Sequence, residues 1–434
     1  MAQPLYSPAY AFPEADTSQV VDLCKVGDHC PAADRHCWQA LQLLLDDANR
    51  QYADEVHIEP DQDCWRLRMR SPFEFTESRV QGTNKYKLSM ELLQSHLWDS
   101  PDRRTARRCW FHFTVCDVPR LVQLDVVPTS RGDTYMIRLL HELTAPPARL
   151  DQLSLSTKQC SILRSLINLN SGLILLSSDI RDARTQTARA IAQELVAPDK
   201  KIVCAESPCH PLLPRTTQLS MDLPATAAQT SAWIAACQMV PNAIVACQTL
   251  EDDTARQLVR FASESTVVLQ SVDAVDAANA VDRLLSMGIR SEAIARSLSA
   301  IVIQRRARSV CPHCKVNQTP DDAGNTWLAY NSPIVEGNIK DWLNHRISSN
   351  FSHGNGCPEC RNSGCGSPMD IFDIITLSDE IKDALYDGDV RYALYLLRQN
   401  SSLENRLLKL AREGNISLTE AMRIAPIRLI NDAD

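Results

Sequence analysis

From Gly172 onward the chain alternates short apolar runs with helix-patterned ones: GLILLSS, RTQTARAIAQEL, KIVCAE, TSAWIAACQMV, NAIVACQ, TARQLVRFASES, TVVLQSV and AANAVDRLLSMG. Brief uninterrupted apolar runs are the pattern of strands buried on both faces. Their alternation with amphipathic helices implies a largely parallel sheet with helices on each side. This rhythm constrains the fold more than any other feature, and it marks residues 148–310 as an α/β domain core.

Ahead of it the pattern differs. CWQALQLLLDDANRQY is helical, EVHIEP and CWRLRMR are strand-like, KLSMELLQSHLW is helical again, and RCWFHFTV, LVQLDVVP and TYMIRLL are strand-like. Residues 36–147 are therefore expected to form an α+β domain. It ends in TAPPARLDQL, whose paired prolines resist both helix and central strand and so read as a linker. Residues 1–35 carry Pro4, Pro8, Pro13 and Pro31 without periodicity and read as a flexible lead-in. A cysteine-bearing insert follows at 311–365, and residues 366–434 read as a helical C-terminal part. In DIITLSDEIKDAL and REGNISLTEAMRIA a Ser or Thr stands just before a helix, as capping requires.

With 45 Lys and Arg against 53 Asp and Glu, the net charge is -8. That balance argues against a general nucleic-acid binder. The N-terminus has no basic segment followed by an apolar run, and no stretch resembles a membrane span, so a cytoplasmic protein is expected. Its 16 cysteines are then expected to be reduced thiols, most of them small core residues.

Four of them form a pattern of their own. CPHC supplies Cys311 and Cys314, and CPEC supplies Cys357 and Cys360. Two such knuckles can offer one zinc ion four thiolates in a tetrahedron, each short loop turning backbone amides toward the sulfurs. The long separation implies an intervening subdomain, and closed four-thiolate coordination implies a structural metal. His313 and Cys365 are expected to be bystanders.

With these segments in order, the chain resembles the assembly ATPases of bacterial type II secretion and type IV pili, over roughly residues 37–428. DEVHIEP is similar to the family's Asp-Ile-His-(Phe/Ile)-Glu-Pro segment, RLRMR to its arginine-rich strand, and PTSRGDTYMIRLL to a Pro-Thr-x-x-Gly-(Glu/Asp) stretch ending here in Arg138. NSGCGSPMDIFDIITLSDEI and LAREGNISLTEAMRI resemble the tail that follows the cysteines. The resemblance implies a RecA-like domain in residues 148–310, closing over ATP with the N-terminal domain, and a six-membered ring acting on an inner-membrane platform protein. It also implies peripheral attachment to that membrane through partners. Set against the family, the additional N-terminal domain that docks some members is expected to be missing or replaced by residues 1–35.

The same resemblance exposes a loss. GLILLSSDIRDARTQTARAI has the strand, loop and helix in which a phosphate loop G-x-x-x-x-G-K-[ST] sits, but its loop has no glycine. Set against that motif without gaps, Ser178 and Ala183 stand at the glycines, Arg184 at the lysine and Thr185 at the magnesium ligand. Glycines let consecutive N–H groups approach phosphate, and a compact ammonium neutralises it; a guanidinium fork does not thread the same space. Asp179 and Asp182 add like charge where phosphate oxygens would lie. In PNAIVACQTLEDDTA, Gln248 stands at the family's catalytic carboxylate and Leu250 at its neighbouring arginine; an amide cannot accept a proton at neutral pH. CAESPC keeps Glu206 with Ser207 in place of a second acid, and VDAVD places Asp273 where a histidine belongs while retaining Asp276.

Singly, these changes have bland readings: Arg184 as a solvated helix residue, Gln248 as a strand end, His57 as a structural histidine, and Arg103–Arg108 as a solvated face or subunit contact. Jointly they imply a pseudo-ATPase with zinc as its cofactor, for which strong binding of ATP and magnesium is not expected. Such a chain would act through an active paralogue, its own copies in a ring, or the platform and other pilus or secretion proteins. The alternative is an active hexameric motor that holds Mg-ATP through Arg184, Thr185 and Glu206. A third reading is a ligand sensor with Asp179, Asp182, Asp273 and Asp276 facing a cation.

Overall fold

The computed structural model describes residues 21–24, 31, 34–62, 64–71, 75–81, 85–98, 105–142, 149–178, 180–207, 213–221, 226–331 and 351–426. It divides into two compact units, one of Met1–Pro146 with Glu206–Leu212 and Ser220–Ala232, the other of Pro147–Ala205, Leu213–Leu219 and Trp233–Asp434.

The first unit holds a seven-stranded sheet in the order β1-β5-β6-β7-β2-β3-β4. Its strands are β1 (Val21–Asp22), β2 (Glu55–Pro60), β3 (Cys64–Arg70), β4 (Phe75–Gln81), β5 (Arg107–Val115), β6 (Val118–Thr129) and β7 (Gly132–Glu142). In β5 buried and half-buried residues alternate strictly, so Cys109, Phe111, Phe113 and Val115 line one face. Helix α1 (Arg35–Arg50) turns Trp38, Leu41, Leu44, Leu45 and Ala48 into the same core, and α2 (Lys85–Leu97) adds Met90 and Leu93. Within the stretch read as a lead-in, β1 pairs in parallel with β5, Val21 opposite Phe111. The linker prolines Pro146 and Pro147 lie outside the described residues.

The second unit carries the expected mostly parallel sheet, in the order β10-β9-β11-β12-β8-β13-β16. Here β8 is Gly172–Ser178, β9 Ile202–Glu206, β10 Thr216–Ser220, β11 Ala243–Thr249, β12 Val267–Val272, β13 Leu298–Val310 and β16 Cys365–Thr376. Pairs β9 with β11, β11 with β12, β12 with β8 and β8 with β13 are parallel, while β16 runs antiparallel to β13. Every residue of β8 is buried, which suits its central place. Helices α3 (Thr157–Ile167) and α4 (Arg181–Leu195) contribute Leu163, Ile167, Ala188, Ile191 and Leu195 to one core with Ile174, Leu176 and Leu269. Helices α5 (Thr226–Gln238), α6 (Asp252–Glu264), α7 (Ala277–Ser286) and α8 (Ser291–Ser297) follow in the alternation.

Between β13 and β16 the insert forms a small hairpin, β14 (Lys315–Gln318) with β15 (Phe351–Gly354), and α9 (Asp322–Asn331). After β16 the C-terminal part is helical: α10 (Asp379–Tyr386), α11 (Val390–Gln399), α12 (Leu403–Arg412) and α13 (Leu418–Ile424). Ser378 and Ser417 cap α10 and α13 as anticipated, accepting from Ile381 N at 3.4 Å and Glu420 N at 3.1 Å. Trp327 and Phe351 of the insert share a core with Ala307, Ile371, Leu407 and Ile416, and Trp327 Nε1 donates to the Ala425 carbonyl at 2.6 Å. Insert and tail are thereby one packed body.

Candidate functional site

Parallel strands deliver their loops to one edge, and in open α/β sheets ligands gather outside the carboxyl ends of the strands. The strand ends Ser178, Glu206, Thr249 and Val272 all belong to that edge. Helix α4 begins at Arg181, close behind the end of β8 at Ser178, so little chain is left for a loop. The Arg184 N–H is consumed by an ordinary helical bond to the Ile180 carbonyl at 3.1 Å, and Ser178 Oγ accepts from Ile180 N at 3.1 Å. Backbone donors that a phosphate cradle leaves open are thus turned into helix and local turn bonds.

The Arg184 side chain is only 2% exposed, which corrects the solvated-helix reading. Its Nη1 is ion-paired with Asp273 and donates to the Ser178 and Val272 carbonyls, both at 3.2 Å. Its Nη2 reaches Thr249 Oγ1 at 3.4 Å, and Thr249 donates in turn to Asp273 Oδ2 at 2.8 Å. The physical reason for burial is this set of acceptors: a guanidinium is tolerated inside only when carbonyls and a carboxylate meet its donors. Thr249 was not singled out in the sequence; its place beside Leu250 gave no sign that its hydroxyl would join β11 to β12.

The other positions are dispersed. Ala183 and Thr185 are buried in α4, and Thr187 Oγ1 donates to Gln304 Oε1 at 2.9 Å. Gln248 is half-buried in a bulge, where the pairing of β11 with β12 shifts between Ala246 and Thr249. Glu206 is fully buried, with its carbonyl accepting from Met221 N at 2.9 Å. Asp276 caps α7, accepting from Asn279 N at 2.7 Å, and Asp273 is matched to Arg184, so these two do not converge on an open cation site. Asp179 and the side chain of Asp182 lie outside the described residues.

The four knuckle cysteines do converge: their sulfurs all lie within 4.8 Å of one another. Sγ to Sγ separations are 3.9 Å for Cys311 and Cys357, 3.7 Å for Cys314 and Cys360, and 3.5 Å for Cys357 and Cys360. A zinc ion with thiolates at about 2.3 Å sets tetrahedral sulfurs about 3.8 Å apart, so the donor set fits that ion. Amides of Cys357 and Gly364 each donate to Cys360 Sγ at 3.2 Å, the turning of backbone toward sulfur that a thiolate needs. Two chain segments cross here with no room for side chains, since a Cβ on Gly364 would lie 2.2 Å from the Gly354 carbonyl oxygen. His313 and Cys365 are not part of the cluster among the described residues, and all 14 described cysteines are free thiols.

In the first unit, Glu55 is bonded by His57 at 3.4 Å and by Arg138 at 2.7 Å. The His57 bond and the Arg138 and Arg70 charges outweigh desolvation and bring the Glu55 carboxyl down to about 2. Arg107 and Arg108 are not a solvated run. Arg107 donates to Gln94 at 2.9 Å and Asp133 at 3.2 Å, and Arg108 forks onto Asp125 at 2.6 and 2.9 Å, because strand alternation turns them toward acids on β6 and β7. Arg103 and Arg104 lie outside the described residues.

The fold is of the mixed α/β class built on a mostly parallel sheet, and solved structures share it. The pilus retraction motor PilT with bound ADP superposes with a TM-score of 0.52 at 15% identity, covering 89% of this chain and 97% of that one. The ATPase DotB of Legionella pneumophila gives 0.57 at 14% identity, covering 89% and 95%. The chain belongs to the family described as Type II/IV secretion system protein, which matches residues 32–423. Type II secretion system protein HxcR of Pseudomonas aeruginosa is 24% identical over 94% of this chain and 80% of its own length. Putative type II secretion system protein E of Escherichia coli K12 is 22% identical over 96% and 84%. Among the described residues no helix is long and apolar enough to cross a membrane.

Proposed function

We propose that this chain is a non-hydrolysing member of its family, a structural or regulatory subunit that works through protein contacts. The observation that carries this reading is the buried Arg184, whose guanidinium takes two carbonyls, Thr249 and Asp273 as its partners at the strand edge where a motor would hold phosphate. A phosphate entering there would have to displace Asp273 and unwind the start of α4. Glutamine at position 248 adds a water-orienting group with no basicity. The partners proposed are an active paralogue ATPase, further copies of this chain in a ring, or the platform and other components of a secretion or pilus machine. Attachment to the inner membrane would come through them. We further propose zinc on Cys311, Cys314, Cys357 and Cys360 as the structural metal that closes the insert.

Purified, zinc-loaded protein is expected to show no ATP hydrolysis above background with magnesium. Hydrolysis that disappears on Thr185→Ala, at the one motif position kept, would overturn the proposal.

A further inference from the structure

A cavity of about 510 Å³ lies away from the strand edge just described, between α6, the turn Gly288–Arg290 that leads into α8, and Tyr386 at the end of α10. Among the described residues four arginines line it, Arg256, Arg260, Arg290 and Arg296, and Glu292 is the one carboxylate. The remaining acids that touch these arginines, Asp253 and Glu264, pair with them from the same helix and do not line the cavity.

The four guanidiniums are held in two ways. Arg256 is anchored: it donates to the Met287 carbonyl and pairs with Asp253. Gly288, at φ +79°, makes room for it, since a Cβ there would stand 3.2 Å from Arg256 Nη1. Arg296 is anchored too, with its guanidinium 5.4 Å from the Tyr386 ring centroid and Nη2 donating to the Tyr386 hydroxyl at 3.3 Å. Arg260 and Arg290 are loose. Their side chains are 80% and 83% exposed, and they meet Glu264 at 3.1 Å and Glu292 at 4.0 Å. Exposed pairs of this kind contribute little, so both arginines can exchange them for a better anion with little loss.

We infer that this cavity is a binding site for a small oligophosphate, an anion with two or more linked phosphate groups, free or at the end of a nucleotide. Like charges converging on one cavity repel until an anion enters. Guanidinium forks match phosphate oxygens two at a time, and the two anchored arginines give a preformed floor onto which Arg260 and Arg290 close. The volume lies in the range of small-molecule sites, about 300–1,000 Å³. An acidic peptide would need several residues of extended chain to bring the same charge and would overrun the cavity. The inference stands independently of whether the β8 to α4 loop holds nucleotide, because no residue is shared.

The test is calorimetric titration of the full chain with inorganic tripolyphosphate, then with ADP lacking metal, against the surface variant R260A/R290A. Saturable binding of tripolyphosphate is expected, weakened at least about tenfold in the variant through loss of two charge-assisted contacts. It should also weaken as salt is raised. ADP binding with the same dependence would place a nucleotide in the site; tripolyphosphate alone would place free oligophosphate there. Absence of binding up to millimolar ligand, or equal binding by variant and parent, overturns the inference. So does a hexaglutamate peptide that binds more tightly than tripolyphosphate through the same two arginines.

Discussion

Arg184, at the start of α4, is ion-paired with Asp273, just past the end of β12, and the arginine is 2% exposed while the aspartate is 67% exposed. The pair therefore sits at a mouth, with the cation inside and the carboxylate toward water. Its geometry answers what a glycine-free loop does on this scaffold: it lets the helix start early and lets a side chain take the acceptors.

Removing the carboxylate leaves the inner guanidinium with carbonyls and Thr249 alone. Asp273→Asn is expected to destabilise the second unit by about 1–3 kcal/mol, below the cost of breaking a fully buried pair because Asp273 is solvated. Chemical denaturation should show an earlier midpoint with unchanged slope. A midpoint equal to that of the parent would mean that water already does the work assigned to Asp273.

One zinc per chain is expected by elemental analysis, reduced on Cys357→Ser. A strong chelator should destabilise the body formed by the insert and C-terminal helices, since metal binding and folding are linked. Gly364→Ala, which changes no ligand, should also lower metal content because the new Cβ meets the Gly354 carbonyl. Full zinc occupancy in that variant would show that the crossing does not shape the site.

Which parts of the fold could be read from residues follows from where each strand lies. EVHIEP and CWRLRMR match β2 and β3 end to end, both interior strands; β2 alternates buried Val56 and Ile58 with half-buried neighbours, while β3 buries Leu67 alone. Among the strands that no segment above predicts, β1, β4, β10 and β16 are the four edges of the two seven-stranded sheets, and β14 and β15 form the small hairpin of the insert. An edge strand needs no apolar pattern on both flanks, so FTESRVQ and TTQLS look like loop, and β16 begins with Cys, Gly, Ser and Pro. The cysteine cluster was legible because its spacing is itself the chemistry. Burial of Arg184 was not, because Asp273 stands 89 residues away and only the parallel sheet brings β8 and β12 side by side.

Acid should weaken the first unit through Glu55. Its folded carboxyl is held at about 2, below its ordinary 4.5, so its stabilisation is fully present above pH 4.5 and is lost as pH falls through about 2. Discounted for solvent screening, the size is about 1–2 kcal/mol. Glu55→Gln should lower stability at neutral pH and flatten that acid limb. An unchanged limb would assign the acid sensitivity to other carboxylates.

Glu420 ties α13 to β13. It accepts from Arg308 N at 2.8 Å and from Arg423 at 2.8 and 3.0 Å while 3% exposed. Burial raises its carboxyl, and the Arg423 and Arg308 bonds and charges outweigh that to hold it below the ordinary value. Glu420→Ala leaves two arginines, 29% and 33% exposed, facing a vacated site and is expected to cost about 1–3 kcal/mol, below the loss of a fully buried pair because water reaches both cations. Limited proteolysis should then cut near α13 first; a cleavage pattern identical to the parent would contradict the tie.

The central claim is that the β8 to α4 edge no longer takes nucleotide. The most direct measurement is calorimetric titration of Mg-ATP into the zinc-loaded R260A/R290A variant, with and without Thr185→Ala, so that binding at the weakened arginine-lined cavity is read apart from binding at the strand edge. The account predicts the same heat with and without Thr185→Ala, and no micromolar site in either. Micromolar binding that vanishes on Thr185→Ala would contradict it, because Arg184 and Asp273 would then have yielded the site to phosphate.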